Sequence, residues 1–227
     1  LGLMLGTLFN AAMVATGASA GLLLGRRVPD GLRKAVFSAL GLFTLFIGTD
    51  MMLDITRPMA AFMALVLGAV IGHGIGLDAW VKRAASRLGE GEGAALVQST
   101  LLFCVGAMTL VGCMQDGLLG DPTILVAKGT MDLFSSLFLA AALGRGVLWS
   151  TGTVLVIQAS LTLGFSAVGS GIPDALVTEL SGLGGMLLVA LGLDLLDIRK
   201  FALLDLTLSL PLLPLILYLF DLTGFPG

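Results

Sequence analysis

Eight runs of about 20 mostly apolar residues, at 3–25, 35–53, 59–77, 96–118, 123–144, 147–169, 175–196 and 201–221, use most of this chain and leave only short connections. That length matches the hydrocarbon thickness of a bilayer. Lipid offers no partner for backbone N–H and C=O groups, so each run must form a helix that satisfies its own backbone. Composition agrees, with 57% hydrophobic and 12% charged residues among 227 and a mean hydropathy of +1.05. Soluble domains carry about a quarter charged residues. The expected fold is an all-α polytopic membrane protein of about eight transmembrane helices in one transmembrane domain, with the lipid bilayer as its first partner. The longest connection, 78–95, reads as a brief interfacial helix anchored by Trp80 and a Gly/Glu-rich link. The first run leads into RRVPDGLRK without an A-x-A-like cleavage site and is expected to be a retained helix.

Several function classes drop out. Twelve Lys+Arg against fifteen Asp+Glu give a net charge of −3, which provides no basic field for nucleic acid. Two cysteines and one histidine are too few for a closed zinc site, and no metal or other cofactor is expected. Cys104 and Cys113, nine residues apart, would face opposite sides of one helix, so they are expected as packing residues and not as a disulfide. His73, flanked by Gly72 and Gly74, reads as a packed or headgroup-facing residue. No Ser/His/Asp set can be assembled around it, and an enzyme is not expected.

The basic residues set an orientation. Arg26, Arg27, Arg33, Lys34, Lys82, Arg83, Arg87, Arg145, Arg199 and Lys200 fall in connections on one side, Arg57 alone on the other, and Lys128 inside a run. The positive-inside rule then puts both termini in the periplasm.

The chain also resembles itself. Residues 29–53 match 173–197 without a gap through Pro29/Pro173, Asp30/Asp174, Leu32/Leu176, Gly41/Gly185, Gly48/Gly192 and Asp50/Asp194. Gly6-Thr7 with Gly152-Thr153, and Asp54-Ile55 with Asp197-Ile198, extend the match on either side. Runs 1–3 (repeat A, 3–77) therefore correspond to runs 6–8 (repeat B, 147–221), around a central helical hairpin at 96–144. An offset of five runs inverts the second copy. Inverted three-helix repeats are a construction principle of secondary transporters, with the site at the repeat interface. They also occur in channels, and a duplication could simply build a stable bundle.

A charge at mid-membrane costs about 2.5–3.5 kcal/mol and needs a partner or a cavity. Run 5 holds Lys128, Asp132, Ser135 and Ser136, whose spacing puts all four on one helical stripe. Lys128 and Asp132 can pair across one turn. They read either as the lining of a substrate or ion site or as a buried structural pair. The approach CMQDGLLGDP reads as an irregular turn in which Gln115, Asp116 and Asp121 form either a cation-collecting mouth or an ordinary periplasmic turn, with Asp121 as N-cap and Pro122 in the first helical turn. Asp50 and Asp194 read as symmetric gates or as residues reaching headgroups. Asn10 and Gln158 complete the candidate binding set, with interhelical hydrogen bonding as their other role, shared by Ser160. Asp205 and Ser209 precede Pro211 and Pro214, which marks run 8 as a discontinuous or kinked helix. The stripes Gly17/Gly21/Gly25 and Gly68/Gly72/Gly76 suit close helix contact, within the chain or in a homodimer.

The segments GTLFNA (6–11), GAMTLVGCMQDGLLGDPTILVAKGTMDLFSS (106–136) and LGLDLLDIRK (191–200), with Gly120, Asp121, Leu125, Lys128 and Asp132 in one signature, resemble the YqgA/YdfK-like family of bacterial inner-membrane proteins (DUF554) over essentially the whole chain. The resemblance implies a bacterial inner-membrane location and a membrane or transport role, and it names no substrate. Asp205 in FALLDLTLSLPLLP departs from the asparagine-containing pattern of the family. The function expected is a secondary transporter, or permease, for a small solute or ion, H⁺ or Na⁺ included. A passive channel and a non-transporting scaffold subunit are the alternatives.

Overall fold

The structure, a computed structural model, describes residues 4–24, 29–80, 83, 91–104, 107–169 and 172–223. The expectations for Arg26, Arg27, Lys82, Arg87, Gly25 and half of the 78–95 link lie outside the described residues. All regular structure among the described residues is helical: α1 (Leu5–Leu24), α2 (Asp30–Met52), α3 (Pro58–Ile75), α4 (Glu92–Cys104), α5 (Ala107–Leu119), α6 (Thr123–Leu143), α7 (Gly146–Gly169), α8 (Asp174–Leu195), α9 (Leu203–Thr207) and α10 (Ser209–Thr223). Seven segments are long and apolar enough to cross a membrane, α9 and α10 counting as one, and the bent pair α4–α5 is the eighth candidate.

The helix ends follow local chemistry. Pro58 opens α3, where its missing N–H is not needed. At the start of α6 the N-cap is Pro122 and not Asp121 as expected, because the Pro122 carbonyl takes the first helical bond; Asp121, one residue outside, accepts the Thr123 N–H at 2.9 Å as a turn residue. Gly120 takes φ 68° just past α5, a left-handed position that favours glycine. At the end of α8 the same conformation falls to Asp197 at φ 56°, with the Ile198 N–H returning to the Leu193 carbonyl.

The chain forms two compact units, Leu1–Leu40 with Val81–Ser170, and Gly41–Trp80 with Gly171–Gly227. In the first unit α1 and α6 run parallel, because their contacts advance together: Gly6 meets Leu125, Asn10 meets Gly129, Gly17 meets the Leu133 carbonyl and Gly21 the Leu137 carbonyl. Val14, Ala18, Phe103, Ala140, Val147 and Val154 close the apolar core around them. Run 4, expected as one continuous helix, is instead two helices, α4 and α5, whose axes differ by 57°. Thr109 Oγ1 spans the break and donates to the Phe103 carbonyl at 2.9 Å. Both halves follow α7 in the same direction. Gly146 meets the Glu92 carbonyl and Thr100 bonds Thr153 on α4, whereas Cys113 bonds the Gln158 carbonyl and Gly117 meets Thr162 on α5. The pair is therefore one bent crossing and not a loop returning on itself.

In the second unit α8 crosses the later part of α2 through glycines. A Cβ at Gly48 would stand 2.7 Å from the Gly185 carbonyl oxygen, one at Gly185 2.7 Å from the Gly48 oxygen, and Gly41 and Gly192 face each other likewise. The helices are antiparallel there. Gly68 and Gly72 of α3 receive Ser209 and the Asp205 backbone. Gly17, Gly21, Gly68 and Gly72 thus serve packing within the chain, whereas Gly76 ends α3 in a left-handed conformation and meets no other helix. Run 8 breaks at Leu208, ahead of the expected prolines. Pro211 cannot donate to the Thr207 carbonyl and its ring would clash there, so the helix restarts at Ser209 with Pro211 in its first turn. Thr207 Oγ1 and Ser209 Oγ, each at 2.7 Å, donate to the Leu204 and Leu206 carbonyls at the break.

Gly48→Val should cost about 1–3 kcal/mol, since backbone and not a flexible side chain stands in the way. Gly152→Ala, where the space is open, should be neutral or up to about 1 kcal/mol stabilising. Thermal unfolding of the two variants in detergent checks both.

Candidate functional site

Two charges sit inside the first unit because one helical turn lets them neutralise each other. Lys128 Nζ donates to Asp132 Oδ2 at 2.5 Å, and each residue is only 6% exposed. Alone, either ion would leave several kcal/mol of desolvation unmatched. Ser136, one turn on, is buried and donates to the Leu133 carbonyl at 3.1 Å. Ser135 is half-buried at the margin of the stripe.

Gly129 brings α1 up to this pair. A Cβ there would stand 3.1 Å from Asn10 Cα and 2.8 Å from the Phe9 ring, so Asn10 lies beside Asp132, close enough to act on its carboxylate. Neither amide atom of Asn10 completes a hydrogen bond of ordinary geometry. The same holds for Gln158 on α7, fully buried with both amide atoms unpartnered. Thr7 and Thr162, 3.4 Å apart, join α1 to α7. Cys104 and Cys113 are free, buried thiols within electrostatic reach of Lys128.

The expected mouth is placed differently. Gln115 and Asp116 do not belong to an irregular turn: they are in α5, which runs to Leu119, and they are buried at 7% and 0% exposure. The turn is confined to Gly120–Pro122, because Gly120 alone takes the left-handed backbone. Both Asp116 carboxylate oxygens are buried and unpartnered. Asp121 stays half-buried at the turn, where it accepts from both the amide and the hydroxyl of Thr123.

Asp50 and Asp194 belong to the second unit. Asp50 is exposed near the end of α2. Asp194 lies half-buried at the end of α8, 3.1 Å from Lys200 Nζ, and its carbonyl accepts from the same ammonium at 3.0 Å. Sequence reasoning passed over Glu179 on α8, which is 2% exposed. Its Oε1 accepts from the Thr56 N–H, the Thr56 hydroxyl and the Arg57 N–H, and so closes the amino end of α3. A carboxylate one turn into an apolar run, where headgroups could be assumed to hold it, was the signal available.

The burial of the pair has a measurable consequence. Lys128→Met leaves Asp132 buried without its counter-ion and should destabilise the protein by about 3–5 kcal/mol, whereas Lys128→Met with Asp132→Leu should return most of that loss. Denaturation in mixed micelles gives the comparison.

Known proteins give the chain a family and no chemistry. It is 27% identical over 226 residues to the uncharacterized membrane protein YdfK of Bacillus subtilis, covering 97% of this chain and 99% of the relative. It is 29% identical over 226 residues to the uncharacterized protein YqgA of Escherichia coli, covering 92% and 96%. No solved structure matches. Residues 5–218 match the family described as protein of unknown function (DUF554), and with nearly its whole length inside that match the chain belongs to this family of helical membrane proteins.

Proposed function

We propose that the chain is a secondary transporter for a small solute or ion in the bacterial inner membrane, with its polar site in the first unit at the contact between repeat A and repeat B. The observation that carries this reading is the presence of several buried polar groups in the first unit: the neutralised Lys128–Asp132 pair with Asn10 beside it, the Asn10 and Gln158 amides that complete no hydrogen bond of ordinary geometry, and a bare carboxylate at Asp116. Each unfilled donor or acceptor in a dry interior costs about 1–3 kcal/mol. A purely structural bundle gains nothing from keeping several together, whereas a site that fills and empties needs them. Asn10 stands on α1 and Gln158 on α7, so the set includes one helix from each repeat.

The inverted relation of the repeats belongs to the same reading. It is supported by the crossing of α2 and α8, where Gly41 meets Gly192 and Gly48 meets Gly185. Since Gly41 corresponds to Gly185 and Gly48 to Gly192, each contact is the image of the other under a two-fold operation. The periplasmic termini and the cytoplasmic basic loops follow from the charge count. The neutral sum of Lys128 and Asp132 leaves Asp116 as the carboxylate suited to H⁺ or Na⁺, and the amides suited to a polar, uncharged part of a solute.

Access decides the matter without knowledge of the substrate. Asn10→Cys and Gln158→Cys, each in a chain carrying Cys104→Ala and Cys113→Ala, are treated with a membrane-impermeant maleimide in right-side-out and inside-out vesicles. A transporter should label from both faces and show no conductance in planar bilayers. Labelling from neither face leaves a scaffold, and labelling from both faces together with conductance leaves a channel.

A further inference from the structure

The second unit carries ion pairs at both of its ends, and their residues correspond between the repeats. Asp54, Ile55, Arg57 and Asp78 align with Asp197, Ile198, Lys200 and Asp221 at a constant offset of 143 residues. Asp50 aligns with Asp194. Each repeat thus supplies one basic residue after its second helix, an acid pair just before that residue, and one acid at the far end of its last helix.

The corresponding residues are not used in the same way. Arg57 Nη2 reaches out of its own repeat to Asp221 Oδ1 on α10, at 2.7 Å. Lys200 stays inside its own turn, 2.6 Å from Asp197 Oδ1 and 3.1 Å from Asp194 Oδ1. Hydrogen bonds to Asp197 first and Asp194 second hold its ammonium above the ordinary lysine range, so it is a full cation there. The image of the Arg57–Asp221 bridge would be Lys200–Asp78. Its components are close at hand: Asp78 donates its N–H to Asp205 Oδ1 at 2.9 Å, and Asp205 and Lys200 both line a cavity of about 210 Å³, as do His73 and Arg199.

We propose that Arg57 and Lys200 form a partner-exchanging ionic latch. In the conformation described, Arg57 is bridged across the repeats and Lys200 is held within its own turn. In the second conformation Lys200 bridges to Asp78 across the cavity, and Arg57 folds back onto Asp50 and Asp54 as Lys200 now folds onto Asp194 and Asp197. Two halves built from inverted copies reach their second state by trading conformations, so a bridge closed at one end implies its image closed at the other. Opening the Arg57–Asp221 and Lys200–Asp197 pairs costs little, because Asp221, Lys200 and Asp197 are 64–84% exposed and exposed pairs differ little from their hydrated ions. The inference rests on the transporter reading and adds to it the contacts that tell the two states apart.

Spin labels at Leu53 and Leu222 report the Arg57 end, and labels at Ile198 and Trp80 report the Lys200 end. All four residues are more than 60% exposed. Distances are measured in lipid nanodiscs on the full chain with Cys104→Ala and Cys113→Ala. Asp221→Asn should lengthen the first distance and shorten the second, shifting the ratio of the two populations by about two- to fivefold. Asp78→Asn should shift it the opposite way, and the double variant should return it near the starting value. Two populations that ignore all three variants would overturn the latch and leave transport standing. A single population throughout would overturn the latch together with the alternating states it depends on.

Discussion

A buried cation one helical turn from a buried anion is the contact on which the first unit depends. Lys128 and Asp132 cancel inside α6, and that cancellation lets a membrane-length helix carry two charges at once. The neutral pair still projects a dipole, which has to be met by polar neighbours or by water. The structure meets it from α1, through an asparagine brought close by a glycine: Gly129 lacks the Cβ that would collide with Asn10 and Phe9. The ion pair, the small residue and the amide are one arrangement built from two helices, α6 and α1. Removing the glycine would push α1 away and leave the pair facing a gap.

Glycine plays a second part. Lipid is as apolar as a leucine side chain, so helices in a bilayer gain little from burying apolar surface and must gain from close packing. In the first unit Gly17 and Gly21 admit carbonyls of α6, and in the second Gly68 and Gly72 admit the start of α10 and the end of α9. The crossing of α2 with α8 brings backbone to backbone at both Gly41/Gly192 and Gly48/Gly185.

The helical fold and the ion pair were legible in the sequence because each has a one-dimensional signature. Apolar length marks a helix, and an i, i+4 spacing marks a stripe. Two kinds of feature were not legible. Breaks depend on where a carbonyl loses its donor, so run 8 breaks at Leu208 although the cause is Pro211, three residues on; the bend after Cys104 has no proline behind it. Burial of a polar residue near a helix end depends on what packs against it. Asp116 looked like a mouth residue because glycines follow it, yet α7 covers it: Gly117 lets the Thr162 carbonyl in beside it. Glu179, which sequence reasoning passed over, closes the amino end of a helix distant in sequence.

The same dependence on partners explains why the two copies need not look alike where they matter most. At the amino end of α3 the turn is closed by Glu179, whose counterpart in the first copy is Ala35. At the corresponding turn before α9 no carboxylate can arrive from that position, and the turn borders the cavity instead. Asp205 lines that cavity, while its counterpart is Phe62, an exposed apolar residue. On the repeat reading proposed above, the two copies thus differ in having a capped turn and a turn beside a cavity. A duplication kept only for stability would face the same packing demand at each end and would be expected to keep similar solutions. Here glycines and charged residues are retained in matching positions while their surroundings diverge, and that combination fits a molecule whose two ends must close by the same contacts but not at the same time.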